Sequence, residues 1–290
     1  MKEFKGRVAV ITGAASGFGR EFARTAAHLG MRLVLADVEP GALETVAQEL
    51  RGQGTDVVAE CVDVSVDADM ARLAHRSREA FGGTQLLFNN AGVACGGYAW
   101  EHSEADWRWV LGVNLWGVVH GIRHFVPMML EQRDTCHIVN TASAAGLVST
   151  PSMAAYNVSK HGVVTLSETL YQDLHAVGAD IGITVLCPAF VDTGIAHSAR
   201  NRPQALRNTT HATPSMRAMQ QATEHATAAG RLSAADIARL TFDAIRAQVF
   251  YLIPHTNLLP AVEARLQDIL AIRSPGPFPS PQGHAPAHQP

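Results

Sequence analysis

The chain of 290 residues predicts an α/β fold: a doubly wound parallel sheet flanked by helices on both faces. Two observations carry that expectation. Short, continuously apolar runs alternate with longer stretches of helical periodicity, and the first of these runs leads straight into a cluster of glycines. Strands buried on both faces read as unbroken apolar runs, and parallel neighbours need a helical crossover between them. Neither a linker nor an internal repeat interrupts residues 1–188, so one domain is expected over 1–273.

The expected strands are "RVAVIT" (7–12), "RLVLAD" (32–37), "DVVAECVD" (56–63), "QLLFNN" (85–90), "CHIVNTAS" (136–143) and "GITVLCP" (182–188), each bounded by Gly, Pro, Asp or Asn. Helical stretches near 17–29, 40–51, 67–80, 104–131 and 155–177 separate them. After Pro188 the periodicity loosens, and residues 190–230 read as a mobile, partly helical lid. Order returns at "SAADIARLTFDAIRAQ" (233–248), where Ser233 followed by Asp236 marks an N-capped helix start. A strand-like "VFYLI" (249–253) and a helix near 258–272 follow. The proline-rich segment 274–290 has too little apolar surface to order itself and is expected to be disordered.

Composition narrows the function. A net charge of -3 gives no electrostatic support for a nucleic-acid partner or an anionic membrane surface. The apolar run "VAVI" is too short for a signal peptide, and none approaches the length of a membrane helix. Cys61, Cys95, Cys136 and Cys187 are widely spaced without a C-x-x-C pair, which points to a reduced, cytoplasmic compartment. His120 and His124 in "HGIRH" have a spacing that can share a ligand, but no third ligand stands nearby, so no metal site is expected.

"VAVITGAASGFGR" places Gly13, Gly17 and Gly19 between the first strand and the first helix, with spacing G-x-x-x-G-x-G. Glycines there allow a tight turn and let backbone N–H groups approach a pyrophosphate, although turns also collect glycine for conformational reasons alone. Asp37 ends the second strand, where a carboxylate can bond ribose hydroxyls and repels a 2′-phosphate; Ser16 and Val38 offer no cation. Taken in order, strand, glycine turn, helix, strand and acid favour a nucleotide cofactor over an ordinary strand-end aspartate. Further on, Tyr156 and Lys160 in "YNVSK" stand one helical turn apart on one face. Alone, that pair also fits a partly exposed face with two snorkelling side chains.

Four stretches taken together carry a family resemblance: "TGAASGFG" (12–19), "NNAG" (89–92), Asn114 in "VNLWG", and Ser143 followed by "YNVSK" (156–160). In this order the chain resembles the short-chain dehydrogenase/reductase family, in its single-domain, Rossmann-like form, over about residues 5–195 and more loosely over 233–253. The resemblance implies that Tyr156 is the general acid/base, that Ser143 orients the substrate oxygen, and that Lys160 holds the nicotinamide ribose and depresses the tyrosine's pKa. It implies that Asn114 completes a water-linked proton relay to Lys160. The cofactor would be NAD, held by Gly13, Ser16, Gly17, Phe18, Gly19 and Asp37. Asp63 and Val64 would meet the adenine; Asn89, Ala91 and Gly92 would line the adenosine side; Pro188, Val191 and Thr193 would hold the carboxamide. Ser152 and Ser159 are expected to be helix-start and packing residues.

The electrostatics of the pair agree with that role. Poising a tyrosine about three units below its ordinary pKa costs about 4 kcal/mol, and one ammonium about 4 Å away supplies about that much at an effective dielectric near 20. Departures are Pro188-Ala189 where many relatives have Pro-Gly, "YLIPHTNLLP" in place of a glycine-rich end, and a long lid. The expected activity is NAD-dependent oxidation of a neutral, bulky secondary alcohol, or reduction of the ketone, by a homo-oligomer (dimer or tetramer). A cofactor-sensing regulator would have no use for Ser143 or Tyr156, and a sugar-nucleotide epimerase would carry a different glycine spacing. Apolar residues expected at the substrate are Val93, Ala94, Leu147, Val148, Met153, Phe190 and Ile195, with Met216 and Met219 as fillers in the lid.

Overall fold

A computed structural model describes residues 1–276. Seven parallel strands run β1 (Val8–Thr12), β2 (Arg32–Asp37), β3 (Val57–Cys61), β4 (Leu86–Asn89), β5 (Cys136–Thr141), β6 (Ile181–Leu186) and β7 (Tyr251–Leu252). Their spatial order is β3-β2-β1-β4-β5-β6-β7. All six strands expected from the sequence are present; β2 keeps its expected range, β6 begins one residue early and loses its last two, and the others are trimmed by one or two residues at their ends. From 277 onward, the proline-rich segment lies outside the described residues.

Side-chain alternation divides the core into two layers. Ala9, Ile11, Leu33, Leu35 and Phe88 face one side, where α1 (Gly17–His28), α2 (Pro40–Gly52) and α8 (Ala234–Ala247) pack. Val8, Val10, Val34 and Leu87 face the other, covered by α3 (Asp67–Phe81), α5 (Gly117–Gln132) and α6 (Ala154–Ala176). On the first side Phe22, Phe88 and Phe242 form a chain of rings, with Phe22 stacked on Phe88 at 4.6 Å and Phe242 at 5.7 Å from Phe88. All three are almost fully buried, so truncating Phe88 to alanine would cost about 3–5 kcal/mol.

The stretch expected as one helix over 104–131 is broken into parts. It begins as α4 (Glu104–Leu111), passes through a π-helical turn at Gly112–Trp116, and continues as α5. Ser103 starts it: its hydroxyl accepts from the Asp106 N–H at 3.1 Å, while the Asp106 carboxylate takes the Ser103 N–H at 2.8 Å. Ser233 and Asp236 form the same reciprocal cap on α8, as the sequence suggested. The wide π turn re-aims the chain at Asn114. Over the lid, short 3₁₀ turns at Ile195–Asn201 and Gln204–Leu206 lead to α7 (Pro214–Ala228). Beyond β7, the last helix among the described residues is α9 (Leu259–Leu270).

Strand order reverses between β1 and β4, the two neighbours that begin opposite halves of the sheet. Chain segments leaving their carboxyl ends diverge to opposite faces, and the cleft between them is where open α/β sheets bind ligands.

Candidate active site

A cavity of about 740 Å³ opens over that cleft and runs along the carboxyl ends of the strands. Its nucleotide half starts at the glycine turn. Gly13 and Gly17 have φ of +67° and +50°, and a Cβ on either would stand 2.9 Å from an atom of Ala91 or Thr193 respectively. Only glycine tolerates both the conformation and the approach. Ser16 heads α1 without a side-chain cap, and no acidic residue occupies the first turn. The leading N–H groups of a twelve-residue helix are thus left for an anionic group.

Asp37 stands beside this turn. Its Oδ2 accepts from the Ala15 N–H at 2.9 Å and its Oδ1 from the Glu39 N–H at 3.1 Å, which fixes the carboxylate and leaves lone pairs toward the cavity. Burial pushes the carboxyl above its usual range, and these backbone bonds pull the other way. Asp63 accepts from both the backbone and the hydroxyl of Ser65, at 2.9 and 2.7 Å, and lines the cavity with Val64. Asp37 and Ser143 follow β2 and β5, three strand spacings apart, or roughly 14 Å. A group with an acidic-site ribose at one end, a pyrophosphate at the glycine turn and a reactive ring beside Ser143 fits that span. The donor set therefore suits a dinucleotide.

The other half, where the catalytic residues are expected, gathers on β5, α6 and the π turn. Ser143 and Tyr156 both line the cavity, and the Ser143 hydroxyl donates to the Pro188 carbonyl at 3.4 Å. Lys160 is buried; its ammonium donates to the Thr141 carbonyl at 2.8 Å and sits 5.7 Å from the centre of the Tyr156 ring. Burial lowers the lysine to about 8 and pushes the tyrosine above its ordinary value, with the nearby Ser143 hydroxyl opposing the latter. Desolvation of the phenol dominates here, contrary to the lowering expected from the lysine.

Asn114, buried beneath the site, accepts from the Val93 N–H at 2.8 Å and donates to the Val93 carbonyl and the Ser159 hydroxyl at 2.9 and 3.1 Å. It does not bond Lys160; the two flank Gly92, where a Cβ would lie 3.6 Å from Asn114 Oδ1 and 3.7 Å from Lys160 Nζ. Ser159, expected only to pack, links Asn114 to the Tyr156 carbonyl, donating to it at 2.7 Å. Ser152 does not start the helix: its φ is +59°, Met153 precedes α6, and the Ser152 carbonyl accepts from Gly97 at 2.9 Å.

Among the expected site residues, Gly13, Ser16, Gly17, Phe18, Asp37, Asp63, Val64, Ala91, Gly92, Ser143, Tyr156, Lys160, Pro188, Val191 and Thr193 line the cavity. Three do not. Asn114 supports the site from below. Gly19 is buried where a Cβ would run into the Gly13 carbonyl, so it shapes the turn. Asn89 points into the core and donates to Asn140 at 2.9 Å, because it is still on β4 and its parity sends it inward. Its neighbour Asn90 takes the cavity position, fixed by a 3.0 Å bond to the Thr12 carbonyl.

Thr12 and Thr141 were not singled out. The Thr12 hydroxyl accepts from Asn90 N–H at 2.9 Å and so ties β1 to the "NNAG" turn; the Thr141 carbonyl holds Lys160. For Thr12, a hydroxyl residue closing the otherwise apolar β1 was the available signal. At the substrate end, Val93, Ala94, Val148, Met153, Phe190, Ile195 and Met219 line the cavity as expected. Leu147 packs against the core instead, and Met216 packs over Gly97. Trp109, Leu206, Asn257 and Leu258 complete the wall, contributed by α4 and by distant lid and C-terminal segments. Arg108 also lines it, paired to Glu104 at 2.7 Å.

Among the described residues, no group of three or more His, Cys, Asp and Glu side chains could hold a metal ion. His124 instead bonds Asp67 at 2.9 Å, and His120 bonds the Val64 carbonyl at 2.9 Å. All four cysteines are free, and burial pushes the Cys95, Cys136 and Cys187 thiols up to about 12. No helix among the described residues is long and apolar enough to cross a membrane.

Comparison with known proteins follows the same lines. A family model described as short chain dehydrogenase matches residues 7–204. A short chain dehydrogenase/reductase from Burkholderia phymatum, solved in complex with NAD, is 52% identical with a TM-score of 0.95, over 97% of this chain and 100% of that one. A "CLA biosynthesis dehydrogenase/reductase" of Lactiplantibacillus plantarum is 34% identical over 95% of this chain and 97% of its own. A "1-deoxy-11-beta-hydroxypentalenate dehydrogenase" of Streptomyces exfoliatus is 32% identical, over 91% of this chain and 88% of its own.

Proposed function

The chain belongs to the short-chain dehydrogenase/reductase family of oxidoreductases, and from there we propose that it oxidises a neutral, bulky, apolar secondary alcohol, or reduces the matching ketone, with NAD. The observation that carries this reading is the convergence of Ser143, Tyr156 and Lys160 in one cavity whose other half holds Asp37 and the glycine turn. A regulator that only sensed the nucleotide would need the second half and not the first.

When bound, NAD supplies the hydride acceptor; the remaining work falls to the chain. The Ser143 hydroxyl donates to the substrate oxygen and fixes the carbinol carbon. Tyr156 removes the hydroxyl proton at its phenolic oxygen, or returns it in reduction. Lys160 holds the nicotinamide ribose, and its charge favours the tyrosinate against the burial that opposes it. Asn114, on the other side of Gly92 from Lys160, passes the proton on through a bridging water. Pro188, Val191 and Thr193 hold the carboxamide, Asp63 and Val64 meet the adenine, and Asn90 takes the place that Asn89 was given. Asp37 bonds the adenosine ribose and disfavours a 2′-phosphate, so NAD is preferred to NADP. Its relative from Burkholderia phymatum binds NAD, in support of that preference.

Incubating the protein with NAD and a panel of alcohols while following NADH absorbance tests the reading. Turnover of secondary alcohols is expected. NADH binding without turnover of any alcohol or ketone would favour the sensor instead.

A further inference from the structure

The neighbourhood of Asp37 holds a cation that sequence proximity concealed. Arg200, on the lid, lines the same cavity as Asp37, Val38 and Glu39, although it lies 161 residues beyond Glu39 in the chain. Its guanidinium is held from two sides. Nε and Nη2 donate to Glu39 Oε1 at 3.1 and 2.8 Å, and Nη1 donates to the His197 carbonyl at 3.1 Å. Asn201 adds a third donor to the same carboxylate oxygen at 2.7 Å. The Asn201 amide and the Arg200 guanidinium hold the Glu39 carboxyl below its usual range against burial, so it stays charged.

We propose that Glu39 is a second determinant of nucleotide choice: its carboxylate occupies Arg200 and Asn201, which would otherwise recognise a 2′-phosphate at the ribose end of the cavity. The proposal rests on the cofactor reading above. Guanidinium and amide donors are the groups that bind phosphate oxygens, and Arg does so in bidentate fashion. Two carboxylates therefore exclude NADP by different means. Asp37 repels the phosphate directly, while Glu39 removes its partner. The Arg200–Glu39 pair is partly exposed, with side chains 42% and 30% accessible, so its release should change affinity by about fivefold and not by orders more.

Fluorescence titration of NADH and NADPH tests this without a known substrate. Asp37→Ser removes the direct repulsion and serves as the background. Adding Glu39→Gln, which keeps an amide oxygen for Asn201 but deletes the charge, should tighten NADPH about fivefold while NADH changes by about twofold or less. Arg200→Met in the same background should erase the gain, and raising salt should shrink it. An NADPH affinity unmoved by Glu39→Gln, a gain that survives Arg200→Met, or an equal shift for both nucleotides would each overturn the proposal. Failure of the unmodified protein to bind NADH would overturn the cofactor reading itself and this inference with it.

Discussion

In the proposed mechanism Ser143 and Tyr156 divide the work at the substrate oxygen, one placed at a strand end and the other at a helix start. The serine is held by the backbone after β5, where its hydroxyl also accepts from the Ala145 N–H at 3.2 Å. The tyrosine is the residue of the pair whose removal separates proton transfer from binding. Tyr156→Phe keeps the ring and leaves Lys160 on Thr141, so kcat should fall by about 10² or more while NADH affinity, by fluorescence titration, stays nearly unchanged. Activity close to that of the unmodified protein would remove Tyr156 from the mechanism. Tyr156, Lys160, Ser143 and Asp37 were legible in the sequence because each sits within a few residues of a recognisable turn or strand end. Asn89 and Asn90 were exchanged because parity at a strand terminus depends on where the last ladder bond falls.

Two elements make their own predictions. β5 and β6 enclose His137, fully buried, with Nε2 on the Thr184 hydroxyl at 2.9 Å and Gly182 opposite, where a side chain would meet the imidazole. Burial lowers its pKa from the ordinary 6.5 to about 3. The unfolded chain binds this proton below pH 6.5 and the native state does not, so the stability associated with neutral His137 is complete above 6.5 and is lost as pH falls toward 3. At pH 5 the loss is about 2 kcal/mol, from roughly 1.4 kcal/mol per unit. Denaturant titrations at pH 7 and pH 5 should show a smaller drop in His137→Gln, which cannot take up the proton. The lid is the second element. With Phe190, Ile195 and Met219 turned to the cavity and Trp109 opposite, burying an unpaired substrate charge there costs several kcal/mol. Aryl or alicyclic secondary alcohols should give higher kcat/KM than short hydroxy acids or phosphorylated sugars. If charged substrates win the screen, Arg108 is the first residue to mutate, because its pair with Glu104 is solvent-exposed and easily released, whereas Arg202 is buried against Asp106 at 2.6 Å and Arg200 is held by Glu39.

On the scale of the whole molecule, apolar side chains remain exposed on two faces. Leu130 of α5 and Val158 and Tyr171 of α6 are exposed on one helical layer, and Leu266, Ile269 and Leu270 on α9. Patches of this kind mark association surfaces. A dimer or tetramer is therefore expected by sedimentation equilibrium, and Ile269→Asp or Val158→Asp should shift the mass downward if its face is the one covered. A single-chain mass for the unmodified protein would refute the expectation.

Local patterns of the chain determined the order of strands and helices, the glycine turn, the strand-end acid Asp37 and the Tyr-Lys pair. Each depends on a period or spacing of a few residues, and the backbone's own geometry translates those into direction. The broken helix at 112–116 was hidden because a π turn leaves the apolar periodicity on both sides nearly intact. Only the tertiary structure brought Arg200 to Glu39, and Leu258 to the wall opposite the lid. Those contacts join segments far apart in the chain, and their identity follows from how the lid packs back across the sheet. No spacing within either segment encodes it.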